Sequence, residues 1–120
     1  MAKSTSLGLK RIINAFAFSM QGLRAAYKGE EAFRQEVAAL VFAIPLAFWL
    51  GDSAVEVALL IGSVLIVLVV ELINSAIEAV VDRFGGELHV LSGQAKDMGS
   101  AAVLLASINA LIIWVAVVFF

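Results

Sequence analysis

Between Glu71 and Asp82 the chain reads Glu71-Leu72-Ile73-Asn74-Ser75-Ala76-Ile77-Glu78-Ala79-Val80-Val81-Asp82, which places strongly polar groups at the end of a long hydrophobic run. At the α-helical step of about 100° per residue, Glu71, Asn74, Ser75, Glu78 and Asp82 fall within roughly a third of the circumference. Carboxylates and an amide on one stripe, with Lys96 further along, suit phosphoryl transfer. Oxygen ligands such as Glu30 and Glu78 could hold Mg²⁺, a hard cation usually bound by one or two carboxylates together with substrate phosphates. Lys96 could neutralise phosphate charge, and Glu71 could accept the proton of an attacking hydroxyl. Glu30 and Glu31 are adjacent, and physics alone does not choose between them. The sequence has no Walker A loop and no Gly-rich kinase loop, so a nucleotide site must be built from side chains at helix ends.

The elements that position these groups follow from composition. Of 120 residues, 62% are hydrophobic and 15% charged, with a mean hydropathy of +1.03. A soluble domain carries about 25% charged residues. The apolar runs Val37 to Leu50, Val57 to Val70 and Met98 to Phe120 each fit within a span of about 20 residues, the length that crosses a hydrocarbon core of roughly 30 Å. This predicts an all-α integral membrane protein of one domain, residues 1–120, with spans over about 32–50, 54–84 and 93–120. The chain has no cysteine, which excludes disulfides and thiolate metal sites. No nucleic-acid partner is expected.

The basic residues give a topology. Lys3, Lys10, Arg11, Arg24, Lys28 and Arg34 precede the first span, Arg83 lies in the second connection, and Lys96 opens the third span. The positive-inside rule then places the N-terminus and the second connection in the cytoplasm, with Gly51 to Glu56 and Phe120 outside.

The N-terminal stretch lacks the continuous apolar region of a secretory signal and reads as an amphipathic surface helix over about 7–28. Leu9, Ile12, Ile13, Phe16, Met20, Leu23 and Tyr27 share one face, with Lys10, Arg11, Asn14, Gln21 and Lys28 to the other side. Such a helix rests in the headgroup region with its basic residues toward anionic lipid. Phe18 points to the polar side, where it packs on another helix or stacks on a ligand base.

In the first span, Arg34 can snorkel to the surface. Glu36 needs either a pair with Arg34 or a neighbouring helix, or a functional role, because an unpaired carboxylate there costs about 2 to 3 kcal/mol. Pro45 removes one backbone hydrogen bond, which membrane helices tolerate. Along the second span the rise of about 1.5 Å per residue puts Glu71 roughly 21 Å and Glu78 roughly 31 Å in from Val57. Ser92 is the expected N-cap of the third helix, and the lone His89 has no second His or Cys beside it for a metal site. Gly93, Gly99, Ser100, Ala101 and Ala102 allow close helix contact. Ser107 and Asn109 read as buried, interhelical hydrogen-bonding groups.

Glu30/Glu31, Glu36, the Glu71 to Asp82 stripe and Lys96/Asp97 thus arrive at one depth, on the cytoplasmic side. A transport pathway needs polar groups through the full bilayer, and the outer halves of these spans are almost purely aliphatic and aromatic.

The stretch Glu71 to Asp82 resembles the signature of the small prokaryotic diacylglycerol kinases. The likeness extends to Gly22-Leu23-Arg24-Ala25-Ala26, Glu30, Ala32-Phe33-Arg34-Gln35-Glu36 and Ala95-Lys96-Asp97-Met98-Gly99-Ser100-Ala101-Ala102-Val103. The resemblance implies a homotrimeric bundle in the bacterial inner membrane, with active sites shared between neighbouring subunits and transfer of the γ-phosphate of MgATP to diacylglycerol. It implies Glu71 as general base, Glu30 and Glu78 as Mg²⁺ ligands that also meet nucleotide, and Asn74, Lys96, Asp97 and Phe18 as nucleotide or phosphate contacts. Arg11, Glu36, Ser100 and Asp82 are implied as substrate-binding or supporting residues. Phe18 stands where the family commonly has tyrosine. The rival readings are an undecaprenol kinase of the same family, a small membrane transporter, and a non-enzymatic oligomer in which the polar stripe is a packing seam.

Overall fold

The computed structural model describes residues 7–84 and 89–120, and among them every regular element is helical: α1 (Leu7–Gly29), α2 (Glu31–Leu50), α3 (Ala54–Asp82) and α4 (Val90–Phe119). Helices α2, α3 and α4 are long and apolar enough to cross a membrane. Helix α1 is amphipathic and nearly all exposed, touching the rest of the chain through Ala26, which packs with Phe33 and Leu68. The protein is an all-helical, multi-pass membrane protein.

The corner between α1 and α2 is made by Glu30, whose backbone is extended at φ −122° and ψ 112° and whose side chain makes no capping hydrogen bond. Arg34 closes this corner. Its guanidinium donates to the carbonyls of Tyr27 at 2.7 Å and Lys28 at 3.2 Å, which are among the carbonyls that the end of α1 leaves without a helical partner. Arg34 is therefore engaged with α1, and of the alternatives open for Glu36 the pair with Arg34 is not the one formed among the described residues.

At the other end, Gly51 lets α2 turn tightly into α3, since a Cβ there would lie 2.8 Å from Val57 Cγ2 and 3.0 Å from the Ala47 carbonyl oxygen. Ser53 caps α3 by accepting from the Glu56 N–H at 3.2 Å, while the Asp52 N–H donates to the Glu56 carboxylate at 2.9 Å. The Ser53-Ala54-Val55-Glu56 spacing is that of a capping box, with the return bond taken from Asp52, the residue before the cap, and not from Ser53 itself.

Helix α3 is the central element, packed along both α2 and α4. Its buried residues are Leu60, Ser63, Val67, Leu68, Glu71 and Asn74, and the positions 60, 63, 67, 71 and 74 repeat at the three-and-four spacing of a helix–helix seam. In the N-terminal half of α3 the seam is apolar but for Ser63, whose hydroxyl donates to the Leu60 carbonyl at 3.0 Å, and it becomes strongly polar at Glu71 and Asn74, so two functional candidates occupy packing positions. The N-terminal half of α3 is tied to α4 by Trp114, whose indole N–H donates to the Leu60 carbonyl at 3.1 Å.

Several boundaries and partners differ from the sequence expectation. Helix α3 ends at Asp82, with Arg83 as its C-cap and Phe84 in a turn. Helix α4 begins at Val90, capped by His89 and not by Ser92: His89 Nδ1 accepts from the Leu91 N–H at 3.0 Å. The imidazole acceptor lies one step outside the helix, where a cap must be, whereas Ser92 is already inside it. Part of the connection expected over Gly85 to Gly93 lies outside the described residues, as does Lys3. Ser107 does not bridge helices; it donates to the Val103 carbonyl of its own helix at 2.9 Å, and both Ser107 and Asn109 are exposed in the single chain. Of the five small residues expected at a close contact, Gly99 alone is buried.

Candidate active site

The polar half of the α3 seam opens into a cavity of about 480 Å³, whose polar lining is Glu30, Glu71, Asn74, Glu78, Ser100 and Ser107. Three parts of the chain build it. The α1–α2 corner supplies Glu30, α3 supplies three residues at the i, i+3, i+7 spacing of one helix face, and α4 supplies the two serines. Glu71 is 5% exposed and Asn74 8% exposed, so both are held by packing, whereas Glu78 is half-buried toward the end of α3.

From α2, the carboxyl group of Glu36 faces that of Glu71. Among the described residues, Glu36 Oε1, Asn74 Oδ1 and Ser75 Oγ are buried without a hydrogen-bond partner. Orphaned polar atoms in a hydrocarbon setting are expensive, and their grouping marks this end of the bundle as one built for something other than packing.

A second cavity of about 610 Å³ adjoins the first, lined mainly by Leu23, Ala25, Ala26, Leu72, Ala76 and Ala79 between α1 and α3. Glu30 lines both. One carboxylate therefore sits at the junction of a polar chamber and an apolar one.

The donor atoms fit a hard cation: the cavity offers carboxylate and amide oxygens and no nitrogen or sulfur ligand. Among the described residues no three His, Cys, Asp or Glu side chains are grouped closely enough to make an all-protein metal site. Such a cation would be completed by oxygens of a bound substrate, as is usual for Mg²⁺.

The other sequence candidates stand apart from this cavity. Lys96 pairs with Asp82 across the ends of α3 and α4, Nζ to Oδ1 at 2.9 Å, on an exposed surface. Asp97, Arg11 and Phe18 are exposed and line neither cavity. Ser107, not among the sequence candidates for the site, lines the polar cavity; its spacing of seven from Ser100, which puts both on one helix face, is the signal that could have found it.

A family model for prokaryotic diacylglycerol kinase matches residues 17–118. The chain belongs to the prokaryotic diacylglycerol kinase family. It is 57% identical over 114 residues to the diacylglycerol kinase of Escherichia coli strain K12, covering 95% of this chain and 93% of that one. The diacylglycerol kinase of Haemophilus influenzae is 49% identical over 120 residues, the whole of both chains. That of Pseudomonas aeruginosa is 52% identical over 110 residues, covering 92% and 89%. The family match spans α2, α3, all but the last residue of α4 and all but the first ten residues of α1, so the polar cavity lies wholly within it.

Proposed function

We propose that the protein transfers the γ-phosphate of MgATP to the free hydroxyl of diacylglycerol, giving phosphatidic acid and ADP, at the cytoplasmic face of the bacterial inner membrane. Family membership gives the enzyme class: the protein is a membrane lipid kinase, a transferase. The observation that carries the assignment of the site is the single cavity joining Glu30, Glu71, Asn74 and Glu78 beside an apolar chamber.

In this reading Glu71, buried on the α3 seam, accepts the proton of the diacylglycerol hydroxyl as its oxygen attacks the γ-phosphorus. The bond from that phosphorus to the β–γ bridging oxygen breaks, and ADP leaves with the electron pair. Glu30 and Glu78 would hold Mg²⁺, which would supply charge neutralisation on the phosphates. Asn74 orients the nucleotide phosphates, Glu36 backs Glu71 from α2, and the apolar chamber beside Glu30 receives the acyl chains. Most of the rate enhancement then comes from orientation and charge placement in a site shielded from water.

The working unit is a homotrimer in this reading, with sites shared between neighbours. The single chain is a slab of 51 × 46 × 21 Å and leaves Asn109 exposed well inside the apolar part of α4, where an uncovered amide is unfavourable. Lys96, Asp97 and Phe18 lie outside this chain's own cavity and serve the nucleotide in the site shared with a neighbour, with Arg11, Ser100 and Asp82 in supporting positions. The N-terminus and the α3–α4 connection face the cytoplasm, as the basic residues favour.

Radiolabelled MgATP offered to the purified protein with diacylglycerol and undecaprenol in the same mixed micelles tests this. Label in phosphatidic acid is expected. Preferential labelling of undecaprenol would reassign the acceptor, and solute movement in proteoliposomes without ATP consumption would overturn the kinase reading.

A further inference from the structure

We infer that Gly99 of α4 is a positioning residue for Asn74, fixing by steric fit a carboxamide whose oxygen has no hydrogen-bond partner among the described residues. Gly99 is buried on α4, next in sequence to the cavity-lining Ser100. A Cβ built on it would collide with Asn74 Oδ1 and lie 3.2 Å from Asn74 Cγ and 3.8 Å from Asn74 Cα. The hydrogen that takes the Cβ direction in glycine therefore points at Oδ1. That oxygen is buried and has no hydrogen-bond partner, so a Cα–H···O contact, itself weak, and the bulk of the α4 backbone are what locate it.

Every other glycine of the spanning helices α3 and α4 for which the surroundings are described, Gly62 and Gly93, has nothing within 4 Å of an added Cβ. Gly99 is thus singled out by contact and not by a general need for small residues. Asn74 lines the polar cavity, so the orientation that Gly99 sets for its carboxamide decides which face of the amide the cavity offers a ligand. A methyl group at position 99 must push the carboxamide aside, and a displacement of about 1 Å at a positioning group can lower rate by about 10²-fold.

This inference rests on the reading of the cavity as the kinase site. The test compares wild type, Gly99→Ala, Asn74→Ser and the double variant as full chains, measuring kcat, KM for MgATP, KM for diacylglycerol and oligomeric state. Gly99→Ala is expected to lower kcat/KM for MgATP by roughly tenfold to a hundredfold, with KM for diacylglycerol within about twofold of wild type. In the Asn74→Ser background, where the shorter side chain leaves room, the same glycine substitution is expected to change kcat/KM by less than about twofold.

Equal losses in both backgrounds, a loss expressed in KM for diacylglycerol, or a fully active Gly99→Ala would each overturn the inference. If Gly99→Ala alone does not assemble, the double variant decides. Assembly with the activity of Asn74→Ser supports steric positioning, and continued misassembly overturns it, since the backbone itself would then require glycine. Wild-type transfer to diacylglycerol in the same assay tests the kinase reading separately. Its absence would sink that reading, whereas its presence beside an indifferent Gly99→Ala would sink the positioning role alone.

Discussion

Lys96 of α4 holds Asp82 of α3 through a 2.9 Å contact between Nζ and Oδ1, so the lysine assigned to phosphate is already paired with a carboxylate. Both side chains are exposed, and exposed pairs are weak and screened by salt. A nucleotide phosphate with several negative oxygens can therefore displace Asp82. Lys96→Ala is expected to lower kcat/KM for ATP by on the order of 10²-fold, the loss typical of removing one charge-stabilising donor. Asp82→Asn should change it by less than about fivefold and leave thermal stability nearly unaltered, as surface pairs do. Steady-state kinetics in ATP at low and high salt check both; an Asp82→Asn loss as large as that of Lys96→Ala would show that the pair acts as a unit.

Arg34 fixes the corner from which Glu30 enters the cavity, through its two hydrogen bonds to the end of α1. Arg34→Ala is expected to destabilise the protein by about 1 kcal/mol through loss of these bonds. It should also weaken Mg²⁺ activation, because Glu30 is no longer held. Lysine supplies a single point charge in place of the planar fork, so Arg34→Lys should recover only part of the effect. Thermal unfolding and Mg²⁺ titration of activity provide the measurements, and normal Mg²⁺ activation in Arg34→Ala would separate the corner from the site.

Glu78 lies nearer the end of α3 than Glu71 and remains half-buried, as a metal ligand open to a soluble nucleotide should be. Glu78→Gln keeps the shape and removes the charge. The Mg²⁺ concentration for half-maximal activity is expected to rise by at least tenfold, the lower end of what even supporting residues contribute to metal affinity, with KM for diacylglycerol little changed. An unchanged Mg²⁺ requirement would remove Glu78 from the metal site.

Much of the architecture was readable because lipid imposes simple rules. Three apolar runs had to be helices, and the stripe from Glu71 to Asp82 had to share a face. The juxtaposition of that stripe with Glu30 follows from depth, and both line one cavity. What distance along the chain could not supply was rotation of one helix about another. Hence Lys96 meets Asp82, Glu36 faces Glu71 and not Arg34, and Ser107 turns into the cavity while bonding its own helix. The start of α4 was misread because composition favours serine as a cap, and the structure uses the His89 ring nitrogen instead. The contact between Gly99 and Asn74 was hidden among five small residues with equal claims.

The central claim is that Glu71 takes the proton from the lipid hydroxyl. Glu71→Gln is nearly isosteric at a site that is 5% exposed, so packing and assembly should survive while the basic oxygen is lost. The decisive measurement is phosphoryl transfer from MgATP to diacylglycerol by purified Glu71→Gln beside wild type, with the oligomeric state recorded on the same samples. The account predicts a fall in kcat of at least about 10²-fold, the lower bound for general-base loss, with the oligomer intact. Wild-type kcat in a folded Glu71→Gln protein would contradict it.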